Sequence, residues 1–450
     1  MKFGTDGVRG RFGDDVTPQY VARLARAAAS VVGGETWLIG RDTRESGPVL
    51  EAAFTAGLLA AGAVARSLGV APTPILAAAS ARLGVPAAMI TASHNPFHDN
   101  GVKIFAAGGL KLPDDIERSI EAALRDHPAP DMLAGDVLAG DTKAGDTKAG
   151  DTKAGVTAHA AYEERIRSLF PVAALAGMRI VVDGANGAMS HVAPPLVAVL
   201  GAEVSVIHVS PTGRNINDGC GATAPGSLAN AVVDQHADLG LAFDGDGDRV
   251  IAIDHLGRVV DGDRLLALAA LQLRGVGQLV DDTVVVTVMS NLGFMRAMER
   301  EGITVVATAV GDRYVLEALD ANGWALGGEQ SGHIIYRKLA TTGDGLLAGL
   351  RLAQHVRESG QRLAELADAV MTSYPQVLLN VRVADRHPHA ADELAAEISS
   401  AQETLAGEGR ILVRASGTEP LIRVMVEAAT ADLARKVAER LVVDVSRRFG

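Results

Sequence analysis

Cysteine, signal-like segments and long apolar runs are all scarce in this chain of 450 residues. The single Cys220 excludes an intrachain disulfide and is typical of a reducing compartment. The first residues lack the basic and then apolar pattern of a secretory signal. No apolar run reaches the roughly 20 residues that a membrane span needs. We therefore expect a cytoplasmic protein with no membrane segment.

Positive charge is also in deficit. Lys and Arg number 42 against 54 Asp and Glu, which gives a net charge of −12. Such a chain binds nucleic acid poorly, so we expect no nucleic-acid partner. An anionic substrate would therefore need a local basic cluster. The sequence also lacks the phosphate loop of ATP-type enzymes and the Gly-x-Ser-x-Gly elbow of hydrolases, which disfavours both classes.

One motif with a reactive hydroxyl is Thr91-Ala-Ser-His-Asn-Pro96, at the end of a predicted strand over residues 87–90. Its Ser93 lies on a loop that Pro96 restrains, although these residue types are also common in ordinary turns. His94 and His98 are four apart, but the intervening proline disfavours the helix that would pair them on zinc. We therefore interpret His94 as local support for the Ser93 loop.

A second motif, Asp244-Gly-Asp-Gly-Asp-Arg249, offers three carboxylates at alternate positions. It begins like an EF-hand calcium loop, but Arg249 and His255 occupy the positions that need Gly and Glu. The flanking segments 239–243 and 250–254 have the apolar pattern of buried strands, and a loop between strands is a usual ligand site. A solvated acidic turn stays open as an alternative.

The two motifs complement each other chemically. A serine that carries a phosphoryl group needs a hard cation nearby, and Mg²⁺ prefers carboxylate and phosphate oxygens. The pair therefore predicts a phosphoserine at Ser93 beside one Mg²⁺ held by Asp244, Asp246 and Asp248.

Three further clusters contain polar and glycine residues. Residues 327–333, Gly-Gly-Glu-Gln-Ser-Gly-His, combine donors and acceptors that suit sugar hydroxyls. The alternative interpretation of this segment is a simple turn with a polar tip. Residues 414–420, with Arg423, have the chemistry of a phosphate cradle and also the pattern of a hairpin. Residues 4–10 place Arg9 between glycines.

Strand and helix patterns alternate through most of the chain, which predicts several α/β units, and a tail from residue 377 reads as a small α+β domain. The unit Gly-Asp-Thr-Lys-Ala occurs three times from Gly140 to Ala154. Its composition disfavours a packed core, so we expect an exposed connector at the first domain boundary.

Together the five motifs resemble those of the α-D-phosphohexomutases over nearly the whole chain. The resemblance implies an α/β fold of three similar units with mixed sheets and a smaller C-terminal α+β domain around a central cleft. The implied domains are 1–155, with the Ser93 loop and the repeats; 156–256, with the metal loop; 257–370, with a sugar-binding loop; and 371–450, with a phosphate-binding loop.

The same resemblance implies roles for individual residues. Ser93 is the phosphoserine, and its phosphate joins the three aspartates on the metal. Arg9 and Lys103 lie beside the transferring phosphoryl group, and His94 is a further catalytic candidate through its support of the Ser93 loop. We expect nearby positive charge to lower the pKa of Lys103 so that it handles a hydroxyl proton. The implied substrate-binding residues are Glu329, Ser331, Gly332 and His333 at the sugar, Arg414, Ser416, Gly417, Thr418 and Arg423 at the distant phosphate, and Arg249 in support.

Gln330 and the segments 215–220 and 311–314 resemble the branch of that family that acts on glucosamine phosphates. The implied reaction interconverts glucosamine 6-phosphate and glucosamine 1-phosphate through a hexose 1,6-bisphosphate. The resemblance is also compatible with a homodimer. Three alternatives stay open: a mutase for mannose or glucose phosphates, a non-catalytic sugar-phosphate binding protein, and a Mg²⁺-dependent phosphatase.

Overall fold

The computed structural model describes residues 3–4, 6–126, 152–416 and 420–450. Contacts divide the chain into two units. The first unit comprises Met1–Val288 and Thr304–Asp368, and the second comprises Met289–Ile303 and Ala369–Gly450. Gly417 and Thr418, and the repeats from Gly140 to residue 151, lie outside the described residues.

The first sheet of the first unit has six strands with the order β1-β5-β4-β2-β3, and β6 pairs with β5. Its elements, in chain order, are β1 (Val8–Arg11), α1 (Pro18–Val32), β2 (Thr36–Arg41), α2 (Gly47–Ala60), β3 (Val64–Val70), α3 (Thr73–Leu83), β4 (Ala87–Ile90), β5 (Asp99–Ala106), β6 (Leu110–Lys111) and α4 (Asp114–Asp126).

The second sheet has five strands with the order β11-β10-β9-β7-β8. Its elements are α5 (Lys153–Ser168), β7 (Arg179–Asp183), α6 (Ala193–Val199), β8 (Glu203–Ile207), α7 (Gly226–Asp234), β9 (Leu239–Phe243), β10 (Val250–Asp254) and β11 (Val259–Val260). Every residue of β9 and β10 is buried, which explains the uninterrupted apolar runs on both sides of the aspartate motif.

The third sheet has four strands with the order β13-β12-β14-β15. The elements of this part of the chain are α8 (Gly262–Gly275), β12 (Thr283–Thr287), α9 (Leu292–Arg300), β13 (Thr304–Thr308), α10 (Asp312–Asn322), β14 (Leu326–Gly328), β15 (Ile334–Tyr336), α11 (Gly345–Ser359) and α12 (Leu363–Val370). Side chains cap several helices, as where the Asp344 carboxylate accepts from the Leu347 amide at the start of α11.

The three sheets share one arrangement. In each, three adjacent strands run parallel, and an antiparallel strand pairs with the outer one: β3-β2-β4 with β5, β8-β7-β9 with β10, and β13-β12-β14 with β15. Three sequence motifs occupy the equivalent connection between the last parallel strand and its antiparallel neighbour. The same position in each sheet therefore contains one of the predicted site loops. The predicted class of similar α/β units with mixed sheets is confirmed.

The second unit contains a three-stranded antiparallel sheet with the order β16-β18-β17. Its elements after residue 370 are β16 (Gln376–Arg382), α13 (Ala390–Glu393), α14 (Ala395–Thr404), β17 (Gly409–Ala415), β18 (Leu421–Ala428) and α15 (Ala431–Phe449). Apolar residues of β18, including Val424 and Val426, share a buried core with Leu441 and Val445 of α15. The predicted small α+β domain at the end of the chain is thus confirmed.

One expectation about the repeats is wrong at their end. The structure begins α5 at Lys153, inside the third repeat, rather than continuing an exposed connector through Ala154. The Thr152 hydroxyl accepts from the Gly155 amide and donates to the Ser67 carbonyl at 2.6 Å. A threonine before the helix acts as its N-cap, so the last repeat initiates a helix. No described helix is both long enough and apolar enough to cross a bilayer.

The packing of α1 against α2 gives a test of the fold. A Cβ at Gly57 of α2 would lie 2.1 Å from the Ala22 carbonyl oxygen of α1, so Gly57→Ala must separate the helices. We expect a loss of about 1–3 kcal/mol in the free energy of unfolding, measured by urea denaturation. Gly226→Ala, where a Cβ meets no atom within 4 Å, is the matched control. Equal midpoints for the two variants would contradict this account.

Candidate active site

The Ser93 loop, residues 91–98, connects β4 to β5 with Ser93 in a left-handed backbone conformation, at φ 52°. The Ser93 amide donates to the Thr91 hydroxyl at 2.8 Å, and the Thr91 hydroxyl donates to Asp42 at 2.7 Å. Ser93 is almost fully buried, with 1% of its surface exposed. The loop therefore holds one hydroxyl in a fixed direction at the end of a buried strand.

Arg44 contacts the backbone of this loop, a role that was not predicted from the sequence. Its guanidinium donates to the carbonyl oxygens of Ser93 at 3.0 Å, Asn95 at 2.9 Å and Asp99 at 2.9 Å, and also to that of Pro96. The signal was weak, because an arginine shortly after a strand has no distinctive pattern. Such a multidentate contact suits the planar fork of arginine and fixes the shape of the loop.

The aspartate loop, residues 244–249, connects β9 to β10 and meets the Ser93 loop. The Ser93 hydroxyl donates to Asp244 Oδ2 at 2.5 Å. One carboxylate oxygen from each of Asp244, Asp246 and Asp248 lies within 4.8 Å of the others, and all three residues are buried. The structure thus brings together the four residues that the sequence predicted as the phosphoserine and metal site.

The electrostatics of the aspartate loop fit a hard cation. Asp246 Oδ1 and Asp248 Oδ1 are buried with no hydrogen-bond partner among the described residues. Burial, and then the charges of Asp248 and Asp246, raise the pKa of Asp244 to about 8. Three buried carboxylates close together, with acceptor oxygens left over, are the donor set that Mg²⁺ or another hard cation binds.

Lys103 on β5 is the main cation beside these carboxylates. Its Nζ lies 2.7 Å from both Asp246 Oδ2 and Asp248 Oδ2, and 2.8 Å from Asp6 Oδ2. The expectation that positive charge lowers its pKa is wrong. Burial alone would lower the pKa of Lys103, but the three carboxylates outweigh it and raise the pKa well above its usual value. Lys103 is therefore held protonated.

Asp6 organises the basic residues near this lysine. Arg9 forms an ion pair with Asp6 at 2.5 Å, and Lys111 pairs with Asp6 and also with Asp312 at 2.7 Å. Burial would raise the pKa of Asp6, but Lys103, Lys111 and Arg9 lower it well below its usual value. No sequence pattern predicted a role for Asp6, Lys111 or Asp312, because these residues lie far apart in sequence.

His94 and Arg249 lie close to the Ser93 hydroxyl and to each other. The Nδ1 atom of His94 is 3.5 Å from Ser93 Oγ and 3.1 Å from a terminal nitrogen of Arg249. The Arg249 amide donates to Asp244 Oδ1 at 3.2 Å. Burial and the charge of Arg249 lower the pKa of His94 to about 4, so the imidazole is neutral at pH 7.

The third loop, residues 329–333, connects β14 to β15. Ser331 is exposed, and Gly332 adopts φ 89° with its Cα against the Val250 carbonyl, where a Cβ would lie 2.1 Å from the oxygen. Glu329 accepts from the Gly311 amide at 3.3 Å, and burial together with Asp312 raises its pKa. Glycine is required at this contact because any side chain would separate the loop from β10.

His333 differs from the expectation of a residue that touches sugar. Only 2% of it is exposed, and its Nδ1 lies 3.6 Å from Asp248 Oδ1 while its Nε2 lies 3.2 Å from Asp312 Oδ2. Burial would lower the pKa of His333, but the two carboxylates raise it. The imidazole therefore faces the aspartate loop rather than the open side of its own loop.

The second unit contains the remaining predicted residues. Arg414 and Arg423 are directly opposite each other on β17 and β18, and the Nε atom of each is buried without a hydrogen-bond partner among the described residues. Burial and Arg423 lower the pKa of Arg414. The Ser416 amide donates to Leu421 at 2.9 Å, and Ser416 is buried. Two adjacent guanidinium groups, each with an Nε that forms no hydrogen bond to a described residue, favour an anion at this hairpin.

Comparison with known protein families covers most of the chain. The phosphoglucomutase/phosphomannomutase models match in four consecutive parts: α/β/α domain I at residues 1–129, domain II at 160–257, domain III at 261–374 and the C-terminal domain at 378–443. The chain belongs to the phosphoglucomutase/phosphomannomutase family. It is thus a phosphohexomutase, an isomerase with three α/β domains and a small C-terminal domain, from a family that uses a metal ion.

Individual relatives of this phosphohexomutase agree over almost their full length. A protein named phosphoglucosamine mutase from Frankia casuarinae is 50% identical, with 98% of this chain and 96% of that one covered. Another of the same name from Kineococcus radiotolerans is 48% identical, with 99% of each chain covered. The structure of Aspergillus fumigatus N-acetylphosphoglucosamine mutase with GlcNAc-6P and magnesium has a TM-score of 0.67 at 21% identity, covering 98% of this chain and 96% of that chain, which shows a shared fold.

The raised pKa of Asp244 predicts how pH affects the metal-free phosphohexomutase. Since folding raises this pKa from 3.8 to about 8, the folded state binds the extra proton between these values, and stability falls as pH rises through this window. Asp244→Asn removes the charge, so its melting temperature in EDTA should exceed that of the wild type at pH 8 and approach it at pH 5. The exposed Asp218→Asn is the control. A lower melting temperature for Asp244→Asn at pH 8 would contradict the charge repulsion.

Proposed function

We propose that this phosphohexomutase interconverts glucosamine 6-phosphate and glucosamine 1-phosphate through a phosphoserine at Ser93 and a 1,6-bisphosphate. The observation that carries this proposal is the 2.5 Å contact between Ser93 Oγ and Asp244 Oδ2, inside a group of buried carboxylates that Lys103 borders. The choice of glucosamine is supported by relatives named phosphoglucosamine mutase at 48% and 50% identity.

In the proposed reaction, phosphorylated Ser93 transfers its phosphoryl group to the C1 hydroxyl of glucosamine 6-phosphate. The phosphorus–oxygen bond to Ser93 breaks, a bond to the C1 oxygen forms, and the proton of the C1 hydroxyl ends on the freed Ser93 oxygen. The bisphosphate then turns over, so that its 6-phosphoryl group returns to Ser93 and glucosamine 1-phosphate leaves. Because the two ends exchange places, the clamp for the non-reacting phosphate must accept either one.

The chain's own charges suit this transfer. Lys103 and Arg9 would lie beside the oxygens on which negative charge is shared, and the raised pKa of Lys103 suits a fixed charge rather than a base. His94 and Arg249, which lie close to the Ser93 hydroxyl, would also lie close to the phosphoserine. Arg44 would position the serine through its loop without touching substrate.

We propose that Asp244, Asp246, Asp248 and a phosphate oxygen on Ser93 hold one Mg²⁺. The ion supplies charge neutralisation at the phosphoryl group when bound. The support is Asp246 Oδ1, which is buried with no hydrogen-bond partner among the described residues, beside the two other buried carboxylates. Buried His333 would orient Asp248 rather than read the sugar.

The other parts of the substrate meet two further groups in this proposal. Glu329 and Ser331, on their loop with Gly332, would bind sugar hydroxyls, and the exposed Ser331 suits this role. Arg414 and Arg423, with Ser416, would clamp the distant phosphate, supported by the unpartnered guanidinium nitrogens. Gly417 and Thr418 at the tip of that hairpin stay predictions for the same clamp. A homodimer and a cytoplasmic location also stay predictions.

Substrate preference tests the proposal directly. Turnover with Mg²⁺ and a trace of hexose 1,6-bisphosphate should be compared by kcat/KM for the 6-phosphates of glucosamine, glucose and mannose, while free phosphate is monitored. We expect glucosamine 6-phosphate to be preferred without release of phosphate. Preference for another hexose would replace the substrate and keep the chemistry, phosphate release would indicate a phosphatase, and no turnover by folded, phosphorylated protein would indicate a binding protein.

Ser93→Ala removes the atom that carries the phosphoryl group. We expect no measurable mutase turnover, while binding of glucosamine 6-phosphate persists in calorimetric titration because the clamp and the sugar loop are unchanged. Ser119→Ala, on the exposed face of α4, is the matched control and should keep wild-type turnover. Retained turnover in Ser93→Ala would overturn the phosphoserine assignment.

Lys103→Ala leaves the buried carboxylates without their nearest cation. We expect kcat to fall by about 10²–10⁴-fold, on the scale of losing a positioned charge or proton-transfer group at an active site. Lys103→Arg, which keeps the charge, should recover part of the rate, and circular dichroism should verify that both variants fold. Near-normal kcat in Lys103→Ala would remove this residue from the proposed reaction.

A further inference from the structure

A cavity of about 460 Å³ lies in the first unit between α3, α5 and the segment 337–344. Its volume is within the range of small-molecule sites in proteins. None of the residues that line it belongs to the Ser93 loop, the aspartate loop or the loop 329–333. The proposed reaction therefore leaves this cavity without a use.

The charged side chains that line the cavity are mostly basic: Arg82, Arg165, Arg337 and Lys338. Arg337 pairs with Asp320, whereas the other three form no ion pair with a described carboxylate. Asp344 is the one acidic residue in the lining, and its carboxylate already accepts from the Tyr162 hydroxyl at 2.9 Å and the Leu347 amide at 3.0 Å. The cavity thus has an excess of cations available to an anion.

Two hydroxyls in the lining have no partner. Thr342 is 1% exposed, and its Oγ1 is buried with no hydrogen-bond partner among the described residues. Thr341 Oγ1 is buried and unpartnered as well. Neither oxygen has accessible surface, so both hydroxyls lie behind the wall of the cavity, and a ligand in it would be bound by the cations.

The remaining lining is small and apolar. It is formed by Pro74, Ala77, Ala78 and Ala81 of α3, Ala158 and Ala161 of α5, and Leu339 and Ala340. Short side chains on two facing helices leave room for a flat or compact apolar group. A ligand that fits both surfaces therefore has an anionic end and an apolar body.

We propose that this cavity is an effector site for a small phosphomonoester. Its phosphate would pair with Arg82, Arg165 and Lys338, and its apolar body would lie against the alanines. A phosphate dianion fits better than a carboxylate, because three cations without an ion pair to a described carboxylate favour the ligand with the larger negative charge.

Residues next to two walls of the cavity form hydrogen bonds with the aspartate loop and with His333, so an effector in the cavity could act on the active site through them. Thr73, next to the lining residue Pro74, donates to Asp246 from its hydroxyl at 2.6 Å and from its amide at 2.9 Å. On the other wall, the Gly343 amide lies 3.0 Å from His333 Nε2, and the Gly345 amide donates to the Gly247 carbonyl at 3.2 Å. A ligand that shifts α3 or the segment 337–344 therefore moves groups that hold the aspartates.

Calorimetric titration with phenyl phosphate tests binding independently of the proposed function. The Arg82→Ala/Arg165→Ala protein should bind one phenyl phosphate fewer per chain than the wild type, while Arg167→Ala, an exposed arginine of α5 outside this cavity, should match the wild type. Phenol should give no heat. Lys338→Glu provides a second variant in case the double variant fails to fold. Equal stoichiometry in all folded proteins would overturn the site.

The effector role is tested by kinetics, and this arm rests on the proposed function. With sugar phosphate saturating, phenyl phosphate should change kcat in the wild type and Arg167→Ala but not in the Arg82→Ala/Arg165→Ala protein. Competition at the active site would instead raise KM equally in all three proteins. The same kcat response in all three proteins, or no response in a wild type that binds at the cavity, would overturn the effector role.

Discussion

The structure depends on bringing three aspartates and one serine together where water is excluded. Asp244, Asp246 and Asp248 lie within 4.8 Å of one another and are buried, which is unfavourable without compensating charge. Lys103 supplies one cation at 2.7 Å. The surrounding basic residues, and a metal ion of the kind that the family uses, would supply the rest. The aspartate loop is thus stable only as part of a charge network that is also suited to a phosphoryl group.

The fold builds this network by repetition. Each of the three sheets places a loop between its last parallel strand and the antiparallel neighbour, and those loops contain Ser93, the aspartates and Glu329. Glycines let the loops approach one another, since a Cβ at Gly245 would lie 2.5 Å from the Ser93 carbonyl oxygen. Arg44 then fixes the serine loop from behind. The three sheets are therefore similar, and the chemical differences between them come from the residues of the equivalent loop in each.

Local patterns sufficed to predict much of this arrangement. Apolar runs located strands such as Ala87–Ile90, and alternate carboxylates in a glycine-rich loop predicted the cluster of aspartates that could hold a metal ion. The supporting contacts could not be predicted, because they join residues distant in sequence: Arg44 reaches Ser93, and Lys111 reaches Asp312. The predicted direction of the Lys103 pKa shift was wrong for the same reason, because the direction depends on which charged residues the fold places nearest to the lysine.

The central claim is that the phosphoryl group passes between Ser93 and the sugar. The most direct measurement starts with protein labelled with ³²P on Ser93 and chases it with unlabelled glucosamine 6-phosphate and Mg²⁺. The account predicts that label leaves Ser93 and appears in hexose bisphosphate and monophosphate, with none released as inorganic phosphate. Label that stays on the protein, or that appears only as inorganic phosphate, would contradict it.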